Sequence, residues 1–166
     1  MLIISDTSAL SALAEADLIG VLRAVFVNVI ITESVKRECL HTGAPSALQS
    51  WMTRAPEWLS VVPDPKIFLP ETSNLGAGEA SSITFAWEHR PDSVVILDDR
   101  QGRNLAESLG LNYIGLLGLL AIGAQRHAVD FEVAIIRLKA IRFRMSDAAI
   151  EVCRTRIRQG EMTNDE

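Results

Sequence analysis

Four short, almost continuously apolar and β-branched runs, at residues 2–5, 27–31, 58–62 and 94–97, constrain this chain more than any other feature. Runs so short, without an alternating polar face and bounded by polar punctuation, read as strands covered on both sides. Helical spacing fills the intervals, at residues 8–23 (with a break marked by Asp17 and Gly20), 32–40, 47–55, 78–89 and 99–109. Thr32 is suited to cap the helix it begins, and Gly110 to close the preceding helix in the left-handed conformation. Within 78–89, the spacing of Ala80, Ile83 and Trp87 marks a core-facing side. A last short strand is expected at 112–115, then helices at 116–126, 132–140 and 146–158, whereas 63–74, rich in Pro, Thr and Ser, reads as a loop. This order predicts an α/β three-layer sandwich, a central, mostly parallel sheet with helices on both faces. The length of 166 residues predicts one domain over 1–159 and a polar, fraying tail at 160–166.

The longest nearly continuous apolar stretch, 113–124, falls short of the roughly 20 residues that span a bilayer. The N-terminus has no basic region before its apolar residues, so a cytoplasmic protein without a membrane partner is expected. Cys39 and Cys153 belong to no CxxC or Cys/His cluster and are expected as buried small hydrophobes. His41, His89 and His127 lack ligand spacing and receive no catalytic part. The net charge of −5 argues against a protein that coats nucleic acid, but it conceals an asymmetry. The first 136 residues carry nine basic and sixteen acidic side chains, whereas 137–158 carry seven basic and two acidic ones. Arg142, Arg144, Arg154, Arg156 and Arg158 are therefore candidates for contact with RNA phosphates or an acidic protein partner, with a solvated helix face as the alternative.

Ligands of open parallel sheets bind beyond the carboxyl ends of the strands. Asp6 follows the first strand and Asp98 a later one, so both carboxylates should project at one edge. Glu38 near the end of the helix after the second strand, and Glu79 in a first helical turn after GAG, can join them; the alternatives are a solvated acid beside Lys36 and Arg37 for Glu38 and a helix-dipole charge for Glu79. Four carboxylates crowded together oppose their own ionisation, and about two Mg²⁺ or Mn²⁺ ions would remove that cost. Paired metals roughly 3.5 to 4 Å apart can activate water and stabilise the leaving oxygen of a phosphodiester. Asp6 is equally suited to cap the helix behind it. Asp98 is assigned to the metal and Asp99 to a helix cap beside it, and Ser8 is placed either to orient the Asp6 carboxylate or to cap.

The runs IISDTSALSALAEADLIGVL, VIITESVKREC, LGAGEASSITFAWE and VVILDDRQGRNLAESLGL, in this order and spacing, resemble a PIN domain. They are closest to the uncharacterised PIN-like branch related to VapC toxins. The C-terminal GLLGLLAIGAQRHAV and RFRMSDAAIEVCRTRIRQGE resemble the same branch, so the likeness covers nearly the whole chain. It implies a parallel sheet between helices and a Mg²⁺- or Mn²⁺-dependent endoribonuclease with metal carboxylates at Asp6, Glu38, Glu79 and Asp98. It also implies Ser8 and Asp99 as neighbours of the site, an antitoxin protein as partner, and a homodimer. The chain departs from many PIN toxins in having Glu79 where they carry Asp. The alternative is a non-catalytic PIN-like scaffold that binds a protein or RNA. A dinucleotide-binding domain is disfavoured because the turn after the first strand reads SDTSAL, not GxGxxG. A phosphoaspartyl enzyme is disfavoured because no second Asp stands two positions after Asp6.

Overall fold

The computed structural model of the chain describes residues 1–164. Five parallel strands form one sheet: β1 Leu2–Ser5, β2 Val29–Thr32, β3 Leu59–Val62, β4 Ser93–Ile96 and β5 Asn112–Ile114, in the order β3-β2-β1-β4-β5. The helices are α1 Thr7–Glu15, α2 Gly20–Val25, α3 Glu33–Leu40, α4 Ser46–Thr53, α5 Ala77–Glu88, α6 Arg100–Ser108, α7 Leu116–Gln125, α8 Phe131–Ala140 and α9 Asp147–Asn164. Alternation within each strand splits the core into two layers. Ile3, Val29, Ile31 and Ile96 pack with buried side chains of α1 to α4 and α7 to α9. Ile4, Ile30 and Val95 face the other way, against Ile83 and Ala86 of α5, Ala106 of α6 and Leu111. The sandwich is thus the expected one, and among the described residues its sheet is wholly parallel. In the same range no helix is long and apolar enough to cross a membrane.

The helix signals act as expected, with local shifts. Thr32 Oγ1 accepts the Val35 N–H at 3.3 Å and caps α3. Gly110, at φ 67°, closes α6, and Asp17, at φ 55°, closes α1 in the same left-handed region and makes the anticipated break. The second strand starts two residues late, because Val27 is apolar yet 84% exposed. On α5 the third core position goes to Ala86 and not to Trp87, which is only partly buried. The loop holds one 3₁₀ turn, Pro70–Thr72. The last helix continues past its expected end and through the supposed tail to Asn164, with Gly160 set against Gln125 of α7. Residues 165 and 166 of that tail lie outside the described residues.

Candidate active site

The strand order reverses between β1 and β4, which makes their carboxyl ends the switch point of the sheet. The two strands run in register, Ser5 opposite Ile96, and the Asp6 N–H donates to Ile96 O at 3.4 Å. Asp6 therefore emerges beside the segment that leads to Asp98.

Asp6 takes the capping role left open for it. Its Oδ1 accepts the Ala9 N–H at 2.8 Å and caps α1, while its Oδ2 is buried without a partner. With the residue only 1% exposed, burial pushes the carboxyl up to about 8. The Ala9 bond opposes that rise, and the charges of Glu79, Asp98 and Asp99 add to it. Glu79 stands in the first turn of α5 with Oε1 buried and unpartnered, and it is pushed up to about 7 by burial and then by Asp99 and Glu38. Asp98 is raised to about 6 by burial and Asp99, against the lowering effect of Arg103. Asp99 is the cap expected of it: its Oδ1 accepts Gln101 N–H at 2.7 Å and Gly102 N–H at 3.2 Å at the start of α6.

Glu38 reaches the same place differently. One carboxylate oxygen accepts the Gly78 N–H at 2.8 Å, and the other accepts the Thr7 hydroxyl. Both oxygens are engaged by the protein. Ser8, expected to orient Asp6, is exposed on the wall of a cleft; its neighbour Thr7 makes the contact with an acid, and that acid is Glu38. The sequence reading missed Thr7 because a helix-start Thr carries no mark of a partner 31 residues away.

Among the described residues, no group of three or more His, Cys, Asp or Glu side chains stands as it could hold a metal ion. The cause is visible: Glu38 is turned to Thr7 and Gly78, and Asp99 to its own helix. The donor chemistry nevertheless fits a hard divalent cation. Two carboxylate oxygens, Asp6 Oδ2 and Glu79 Oε1, are buried with nothing to bond, a condition native proteins rarely tolerate without an ion or water.

A cleft of about 1500 Å³ opens beside the acids, which it meets at Thr7, Asp98 and Asp99; Asp6, Glu38 and Glu79 do not line it. Its walls come from the length of α1, the first turns of α6 and α7, the end of β5, the segment after α8, and α9. This cleft divides the five candidate arginines. Arg142, Arg144 and Arg156 line it, joined by Arg100 and Arg103, which the sequence reading did not single out. The signal available for that pair was their place on the helix that follows Asp98-Asp99. Arg154 instead pairs with Glu132 at 2.7 Å and Glu151 at 3.3 Å, and Arg158 with Glu151 at 3.1 Å. Neither lines the cleft; both stand in exposed ion pairs.

A doubly wound α/β sheet with buried carboxylates at its switch point and an arginine-lined cleft beside them is an acidic site and not a glycine-rich nucleotide-binding turn. The family model described as a PIN domain matches residues 2–159, and the chain belongs to that family, whose fold is a nuclease fold. No curated protein and no solved structure matches the chain.

Proposed function

We propose that this PIN domain is a divalent-metal-dependent endoribonuclease that hydrolyses single-stranded RNA. The observation that carries this reading is the pair of buried, unpartnered oxygens on Asp6 and Glu79, next to Asp98 and to a cleft rimmed by arginine. Asp6, Glu79 and Asp98 would hold Mg²⁺ or Mn²⁺, with Glu38 the remaining carboxylate of the site. The chemistry supplied by the bound cation would be activation of water and neutralisation of phosphodiester charge. The protein's own contribution is positional. Ala9 fixes the rotation of Asp6, Asp99 fixes the first turn of α6, and Thr7 and Gly78 hold Glu38. Arg100, Arg103, Arg142, Arg144 and Arg156 offer cations to a backbone lying in the cleft, and the exposed ring of Tyr113 offers an unstacked base a surface.

The same reading makes residues 1–159 the catalytic domain, places the protein in the cytoplasm as a homodimer, and extends to the toxin of a toxin-antitoxin pair; finding a small reading frame beside the gene would support that last step. Incubation of purified protein with mixed RNAs, in Mn²⁺ and in chelator, tests the activity. Fragments with 5′-phosphate and 3′-hydroxyl ends are expected, and cleavage should disappear in chelator and in Asp6→Asn and Asp98→Asn. Cyclic-phosphate ends, or cleavage that survives chelation, refute the mechanism, and RNA binding without cleavage favours a scaffold.

A further inference from the structure

We propose that Gly102 is a positioning residue: the missing side chain in the first turn of α6 leaves the notch in which the Glu79 carboxylate is seated. A glycine inside a helix weakens it relative to alanine, so its presence here calls for a local reason. Conformation supplies none, because among the described glycines only Gly110 has a positive φ. Packing does. A Cβ built on Gly102 would clash with Glu79 Oε1 and lie 2.9 Å from its Cδ and 3.5 Å from its Cγ. Its three nearest heavy atoms all belong to that one side chain. The turn itself is held in place by Asp99, whose Oδ1 accepts the Gly102 N–H at 3.2 Å, so the notch cannot easily drift away from Glu79.

The three atoms nearest an added methyl group at 102 therefore all belong to the movable side chain of Glu79. Gly78 stands in the same relation to Glu38, but there a Cβ would also meet Thr7 Oγ1 at 2.6 Å and disturb two groups. Gly102 is the cleaner case: a substitution compatible with the helix that displaces one carboxylate of the site.

The packing stands without metal, while its consequence for the site rests on the metal-dependent reading above; two measurements keep them apart. In chelator, melting temperatures are compared for the wild type, Gly102→Ala, Glu79→Ala and the double variant. The shift caused by Gly102→Ala should depend on whether Glu79 is present; equal shifts in both backgrounds overturn the notch. In Mn²⁺, calorimetric binding should weaken roughly 10- to 100-fold in Gly102→Ala, the range for groups that orient a ligand. In a Glu79→Ala background the same substitution should add little, because no carboxylate is left to displace. Unchanged Mn²⁺ affinity in Gly102→Ala, or an equal further loss in the Glu79→Ala background, overturns the positioning role. A wild type that binds no Mn²⁺ removes the metal reading, and the cycle in chelator then decides the packing alone.

Discussion

Replacing Asp6 by Asn should make the metal-free protein more stable at neutral pH, although it removes a central group of the proposed site. The asparagine keeps an oxygen for the Ala9 N–H, which Asp6 Oδ1 accepts at 2.8 Å, and loses only the ionisable oxygen. In the unfolded chain Asp6 ionises near 3.8, and in the folded protein burial holds it up to about 8. The folded state thus binds the extra proton between those values, so stability is fully present below 3.8 and falls as pH rises toward 8. At about 1.4 kcal/mol per pH unit, roughly 4 kcal/mol is lost by pH 7, a large share of the 5–15 kcal/mol typical of a domain. Urea denaturation in chelator from pH 3 to 8 should show the two proteins nearly equal at pH 3 and Asp6→Asn ahead by up to about 4 kcal/mol at pH 7. The slope should shrink but not vanish in the variant, since Glu79 and Asp98 are raised in the same direction. At a hundredfold excess over Kd, Mn²⁺ should then recover about 2.7 kcal/mol of that difference for the wild type. Parallel pH profiles for the two proteins in chelator would refute the reasoning, because they would mean that the Asp6 carboxylate bears no cost of burial.

Removing Arg142, Arg144 and Arg156 together should weaken single-stranded RNA binding and lower its salt slope by about 2, at roughly 0.7 per phosphate contact, whereas removing Arg154 and Arg158 should leave both unchanged; fluorescence anisotropy across a salt series checks this. Asp64→Ala should cost about 1–2 kcal/mol in urea denaturation, because Asp64 accepts the Ser34 N–H and hydroxyl, each at 2.8 Å, and pairs with Arg37 at 2.7 Å at the start of α3. The Asp64 carboxyl is held below its ordinary value by those Ser34 and Arg37 bonds, against burial, so its contribution should be present above about pH 4 and fade as the solution is acidified. Thr7→Val should lower stability in chelator by about 1–3 kcal/mol through the lost hydroxyl donor to Glu38, measured in the same assay.

The sheet was legible in the sequence because strands buried on both faces leave unbroken apolar runs, and Ile3-Ile4 and Ile30-Ile31 serve one core layer each. Boundaries blurred where an apolar residue stays in solvent, as at Val27. The gathering of Asp6 and Asp98 was legible too, since it follows from strand ends alone. What Glu38 and Glu79 do there was not: the Thr7 and Gly78 bonds join residues 31 and 40 positions apart, and the Gly102 notch lies across a helix pair. No local pattern encodes such contacts. The division of the arginines was hidden for a related reason. Arg154, Arg156 and Arg158 share one charged run, and only the way α9 packs decides which of them meets the cleft and which meets Glu132 and Glu151.

The two free cysteines sit on the helices that matter most for access. Cys39 follows Glu38 on α3, fully buried, with its thiol pushed up to about 12 by burial and by the charges of Glu38 and Asp6. Cys153 is buried on α9, which walls the cleft. Since the thiolate is the reactive form, labelling of Cys39 in the native protein at neutral pH must wait for a local opening. Alkylation at Cys39 therefore times the release of the segment that carries Glu38, whereas Cys153, which itself lines the cleft, reports whether a reagent enters it.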